Sequence, residues 1–234
     1  MTGSSGRRCC NSSVCDVSAS SSVYIETGSK RAFACSLEWP GLARSGKTED
    51  AALAALASYV PRYSPVAARA AVDFDLSDNQ QWLVVERVPT RSGGADFGVP
   101  TTVLPSDSGD LEAEEASRTA ALLSASWDFL DAVAAGAPPE LRKGPRGGGR
   151  DRDAVVAHVA GAEQLFGRKV GLKMPAPAPG DRDVVVANRT AVLEWCRSGK
   201  SYPEAREAWP PRYASRRLIW HVLDHAWEIE DRRQ

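Results

Sequence analysis

Arg217-Leu-Ile-Trp-His-Val-Leu-Asp-His-Ala-Trp-Glu228 is the stretch that decides how this chain is read. Leu218, Val222 and Ile229 recur at helical spacing, His225 falls inside their stripe and His221 lies at its edge. A spacing of four puts both imidazoles on one helical face, one turn apart, where they can reach the same ion. The chain has three histidines. The third, His158, flanks the Val155, Val159 and Ala162 stripe of another helical stretch, Asp153-Ala-Val-Val-Ala-His-Val-Ala-Gly-Ala-Glu163. Three imidazoles converging from two helices would form an all-nitrogen facial site with an open position, the arrangement of catalytic metals. Isolated histidines are more often packed or capping residues, but none is left over from this constellation, which favours metal binding.

Working outward, four helical stretches are expected, over about 111–135, 151–171, 183–197 and 212–231. Gly136 with Pro138-Pro139, the Gly144-Pro-Arg-Gly-Gly-Gly-Arg150 loop, Ser198-Gly199 and Pro210-Pro211 separate them. Apolar residues recur at three and four in each, for instance Leu123, Trp127 and Leu130, or Val185, Val192 and Cys196. Such a series describes a four-helix bundle.

Towards the N-terminus the pattern changes. Val23-Tyr-Ile-Glu-Thr27 and Arg31-Ala-Phe-Ala-Cys-Ser-Leu-Glu-Trp39 alternate, with Gly28-Ser29-Lys30 as a hairpin turn and Phe33, Cys35, Leu37 and Trp39 on one face. A helix over 48–60 carries Thr48 as N-cap and Glu49 and Asp50 in its first turn. Gln81-Trp-Leu-Val-Val-Glu-Arg-Val88 is a further strand. The expected fold class is therefore an α+β module of order β-β-α-β followed by an all-α four-helix bundle. Its expected divisions are a disordered, serine-rich tail over 1–22, the module over 23–105 and the bundle over 106–234.

With 43% hydrophobic and 25% charged residues and a net charge of −1, the 234-residue chain reads as globular. No field draws it to nucleic acid, and no run spans a bilayer. Arg7 and Arg8 lack the apolar stretch of a secretory signal, and five scattered cysteines without a C-x-x-C pair read as free thiols of a cytoplasmic protein.

Gly41-Leu-Ala-Arg-Ser-Gly-Lys-Thr48 fits the phosphate-loop pattern G-x-x-x-x-G-K-[ST]. Glu49 and Asp50 would oppose a triphosphate at that helix end, no later strand offers a magnesium-holding Asp, and no further βα units follow. The stretch reads instead as a turn and helix cap.

The segments His158-Val-Ala-Gly-Ala-Glu163 and Arg217 to Glu228 resemble the DinB/YfiT-like superfamily over about the last 125 residues. The resemblance implies a four-helix bundle whose three histidines, His158, His221 and His225, bind a divalent metal (zinc, nickel or iron). It also implies a thiol transferase or isomerase using a low-molecular-weight thiol such as mycothiol or bacillithiol. The Ala- and Arg-rich composition goes with a high-GC actinobacterial source, where mycothiol is the resident thiol. Some mycothiol-dependent members carry Glu in place of the first His of the pair, a departure absent from this chain. Phe33-Ala-Cys-Ser-Leu-Glu-Trp-Pro-Gly-Leu42 with Ser45-Gly-Lys-Thr-Glu-Asp-Ala-Ala-Leu53 is similar to the HicB-like antitoxin fold over about 40 residues. That similarity implies a partner-binding module, or a homodimer formed through it.

Around the metal, Glu228 is one turn beyond His225 and reads as an acceptor behind an imidazole or a general base. Glu163 either orients an imidazole, with a place in catalysis, or is a solvated helix residue. Arg216 and Arg217 open the metal-bearing helix, to hold an acidic group of cofactor or substrate or as a solvated pair. Asp224 reads as structural, and Trp220 and Trp227 as core or interface aromatics. The expected function is a metal-dependent thiol transferase or isomerase acting on a small electrophile. The alternatives are a non-enzymatic interaction protein with a structural bundle and a metal-dependent hydrolase.

Overall fold

The computed structural model describes residues 21–77, 79–91, 93–144, 148–204 and 207–233. It is an α+β protein in which a four-stranded mixed sheet is combined with five helices. Strands β1 (Ser21–Thr27), β2 (Ala32–Ser36) and β3 (Ala43–Gly46) form an antiparallel meander, and β4 (Trp82–Pro89) pairs parallel with β1, giving the order β3-β2-β1-β4. The tail expected over 1–22 lies outside the described residues, apart from Ser21 and Ser22, which open β1.

Local chemistry sets the turns. Gly28 N–H donates to the Arg31 carbonyl at 2.8 Å, and the Asp96 carboxylate collects the amides of Ser29, Lys30 and Arg31, closing the β1–β2 hairpin where the glycine predicts it. Strand β2 is shorter than the alternation suggests. The Ser36 hydroxyl accepts from Trp39 N–H at 3.1 Å and turns the chain, so Trp39 leaves the Phe33–Cys35 face and packs edge-on against Tyr63 and Phe74.

The expected β-β-α-β order gains a strand. β3 runs through the middle of the phosphate-loop pattern, where backbone groups that would have to cradle a phosphate pair with β2 instead. Thr48 then caps α1 (Glu49–Arg69), its hydroxyl accepting from Ala51 N–H at 3.2 Å. Replacing Thr48 by alanine is expected to lower stability by about 1 kcal/mol in a urea titration; an unchanged midpoint would mean that this cap does not hold the helix start.

α1 also runs past its expected end at 60, through Pro61 and Pro65. Each proline removes a helical donor, at a cost of about 3 kcal/mol in a helix interior. Burial of Tyr63, Val66 and Ala67 beyond the first proline offsets it, and the Tyr63 hydroxyl donates to the Pro40 carbonyl at 2.8 Å.

The remaining helices are α2 (Ala113–Ala135), α3 (Arg152–Lys169), α4 (Arg182–Ser198) and α5 (Pro211–Arg232), each within about two residues of the breakers that predict it. One face of the sheet (Val23, Ile25, Ala32, Ala34) joins α1, α2 and α5 in one continuous apolar cluster. On the other face Tyr24, Phe33, Cys35 and Ala43 pack with Leu104 and Trp220. Gly41, at φ +90°, lets the loop before β3 touch α5, since a Cβ there would stand 2.4 Å from Ile219 Cγ2. Cys35 and Cys196 are buried free thiols. Cys9, Cys10 and Cys15 lie outside the described residues. No helix among the described residues is long and apolar enough to cross a membrane.

Candidate metal centre

α5 is amphipathic in the sense that matters for the site. Leu218, Ile219, Val222, Leu223 and Ala226 are buried, which fixes the helix rotation and turns His221 and His225 toward α3. On α3, burial of Val155, Val159 and Ala162 does the same for His158. One potential ligand nitrogen from each of the three histidines lies within 4.8 Å of the others. Ring centroids are 4.6 Å apart for His221 and His225, 4.8 Å for His158 and His225, and 5.2 Å for His158 and His221. Phe166 stands edge-on to His221 at 5.4 Å, with Trp209 behind it.

The hydrogen bonds around the rings assign donor roles. Glu228 Oε2 lies 2.8 Å from His225 Nδ1, and Oε1 pairs with Arg232. The bond from His225 is the main force holding the Glu228 carboxyl below its ordinary range. An ionised carboxylate only accepts, so Nδ1 carries a proton and Nε2 is the ring atom left to meet an ion. Held at both oxygens, Glu228 orients the imidazole. Arg232 went unread in the sequence, although its spacing of four from Glu228 is a signal. His221 Nδ1 is buried with no hydrogen-bond partner among the described residues. A ring nitrogen stranded beside two other imidazoles fits a site for a divalent ion, since neutral imidazole is a good ligand and a costly orphan.

Burial, reinforced by the neighbouring His225, Arg217 and His158, pushes the His221 imidazole down to about 2. Burial also lowers His158. Both rings are therefore neutral and ligand-ready at pH 7. The sign for stability follows. Below its ordinary value of 6.5 the unfolded chain takes up protons that the folded chain refuses, so metal-free protein loses stability as pH falls. The melting temperature of chelator-treated protein is expected to drop between about pH 7 and pH 5, and to drop less with His221→Phe; identical slopes would remove His221 as the cause.

Glu163 does not hydrogen-bond any of the three imidazoles. It is not solvated either. Its carboxylate accepts from Trp127 Nε1 at 2.6 Å and pairs with Arg189 at 3.3 Å, tying α3 to α2 and α4. Arg216 and Arg217 are not a solvated pair. Arg216 grips the buried Asp107 with both terminal nitrogens, and Arg217 lies over the rings of Trp220 (4.6 Å) and Phe166 (5.4 Å). Asp224 is structural, paired with Arg44 of β3 at 2.7 Å, and Trp220 and Trp227 are buried. A groove of about 430 Å³ runs along another side of α3, between Val156, Ala157 and Ala160 and the Val185 and Arg189 side of α4. No model of a protein family, curated protein or solved structure matches the chain.

Proposed function

We propose that the chain is a metal-dependent enzyme on a four-helix bundle of the DinB kind, joining a low-molecular-weight thiol of the mycothiol type to a small electrophile, or isomerising the electrophile through that thiol. The observation that carries this reading is the meeting of His158, His221 and His225 within 4.8 Å. Three imidazole ligands would leave a divalent ion an open position, where it lowers the pKa of a bound thiol or water to near neutrality. The chain's own contribution is positional. Glu228 and Arg232 fix the tautomer and tilt of His225, while Phe166, backed by Trp209, packs its ring edge-on to His221.

The test is turnover of an electrophile panel by metal-loaded protein with and without mycothiol. Thiol consumption that disappears on chelation and in His225→Ala supports the proposal. Electrophile or ester cleavage that ignores the thiol would instead make the protein a metal-dependent hydrolase.

A second reading, an interaction module resembling HicB with its dimer built on the sheet, is favoured by one observation. β4 is an edge strand, and Leu83 and Val85 stand about half exposed on it. Light scattering that shows a dimer, reduced to a monomer by Leu83→Lys, would support it.

A further inference from the structure

The first turns of α5 meet the sheet around a cavity of about 20 Å³, enough for one or two water-sized occupants. Tyr24, Cys35, Tyr213, Arg216, Arg217 and Trp220 are among the side chains that line it, and none of the three histidines does. Three buried donors on these lining residues have no protein partner among the described residues: Arg216 Nε, Arg217 Nη1 and Trp220 Nε1. Buried polar groups are nearly always satisfied, so three orphans on residues that line one small space are unusual.

All three orphans are donors, and the local charge is unbalanced. The Arg216 cation is matched by Asp107, whose carboxylate is 1% exposed. Among the described residues no carboxylate lies within ion-pair distance of Arg217. Asp224, which acts on it from farther off, is engaged by Arg44, and Glu26 is saturated by Thr90, Thr101 and Thr102. Burial consequently disfavours the charged form of Arg217. A partly buried guanidinium without a counter-charge is poorly compensated, and arginine does not shed its proton to relieve that. Water could satisfy the N–H groups but would leave the positive charge uncompensated.

We propose that this cavity binds one compact monovalent anion, of halide or formate size, between Arg217, Arg216 and the Trp220 indole. The site is separate from the metal reading and stands whether or not the histidines hold an ion. Its small volume excludes bulky organic anions, and the apolar walls from Leu42, Ala43 and Pro100 disfavour strongly hydrated dianions such as sulfate.

The experiment is a thermal-denaturation series at constant ionic strength, exchanging sodium gluconate, too large for the cavity, for chloride, bromide or formate. A saturable rise is expected, reaching roughly 5–10 °C at a hundredfold excess over the dissociation constant. The rise should vanish in Arg217→Gln, weaken in Trp220→Phe and persist in His221→Ala/His225→Ala, which separates it from any failure of the metal reading. Should Arg217→Gln not fold, crystals of the wild-type chain grown in bromide supply the same answer through an anomalous peak in the cavity. Equal melting temperatures in gluconate and halide, or a cavity peak without bromine signal (a water molecule), would overturn the proposal.

Discussion

Protein carrying His221→Ala and His225→Ala together is expected to retain no divalent metal after gel filtration, whereas the parent chain retains about one ion per chain by elemental analysis. The pair supplies two of the three imidazoles within 4.8 Å, and His158 alone is a weak monodentate ligand. The neighbouring Glu228→Gln is a finer probe. It keeps the size of the side chain but weakens the bond at His225 Nδ1, and should reduce affinity roughly 10–100-fold, as loss of such an orienting carboxylate does. A competition titration with a chromogenic chelator reads both effects. Full occupancy in the double variant would end the metal reading, whatever the activity.

The largest stability effect is expected at Arg189. Its side chain is 13% exposed and pairs with Glu163, which is 3% exposed, so Arg189→Ala strands a carboxylate among α2, α3 and α4. Breaking a buried pair by removing one partner costs about 3–5 kcal/mol. Burial already raises the Glu163 carboxyl above its ordinary value of 4.5, with Arg189 and Trp127 pulling the other way. Without Arg189 the upward shift grows. Between the unfolded and the raised folded value, the folded chain holds a proton that the unfolded chain has released, so stability falls as pH rises through that window. The deficit of Arg189→Ala should therefore be larger at pH 8 than at pH 5 in urea titrations, and Glu163→Leu with Arg189→Met should recover most of it. A pH-independent deficit would point to lost packing on Trp127, over which the guanidinium lies.

These contacts show which parts of the molecule were legible in the chain. Helix ends were, because Pro138-Pro139, Ser198-Gly199 and Pro210-Pro211 act through local backbone sterics. The histidine cluster was too, because a spacing of four on an apolar stripe sets direction, and His158 sits on the matching stripe of α3. Strand β3 was not. Ala43-Arg-Ser-Gly46 has no alternation to read, and its pairing with β2 is a contact between segments that local pattern does not announce. The continuation of α1 through two prolines is likewise decided by burial of Tyr63 and Val66 rather than by propensity. Arg216 with Asp107, and Glu163 with Trp127 and Arg189, join residues far apart in sequence, so no spacing announces them. Two acidic or basic residues next to an expected metal site look the same in sequence whether they serve the ion or the scaffold.

α5 is a wall shared by the two halves of the molecule. His221 and His225 look toward α3, while Ile219 touches Gly41, Asp224 holds Arg44 and Trp227 meets Tyr59 of α1 at 4.9 Å. These contacts alternate along the same turns of one helix, so fraying of that helix would release both sides together. In deuterium-exchange terms, the slowest-exchanging amides of β3 and α1 should become slower still when zinc is added to metal-free protein, although no ligand residue lies in either element. The sheet would then serve as a remote gauge of occupancy at the imidazoles.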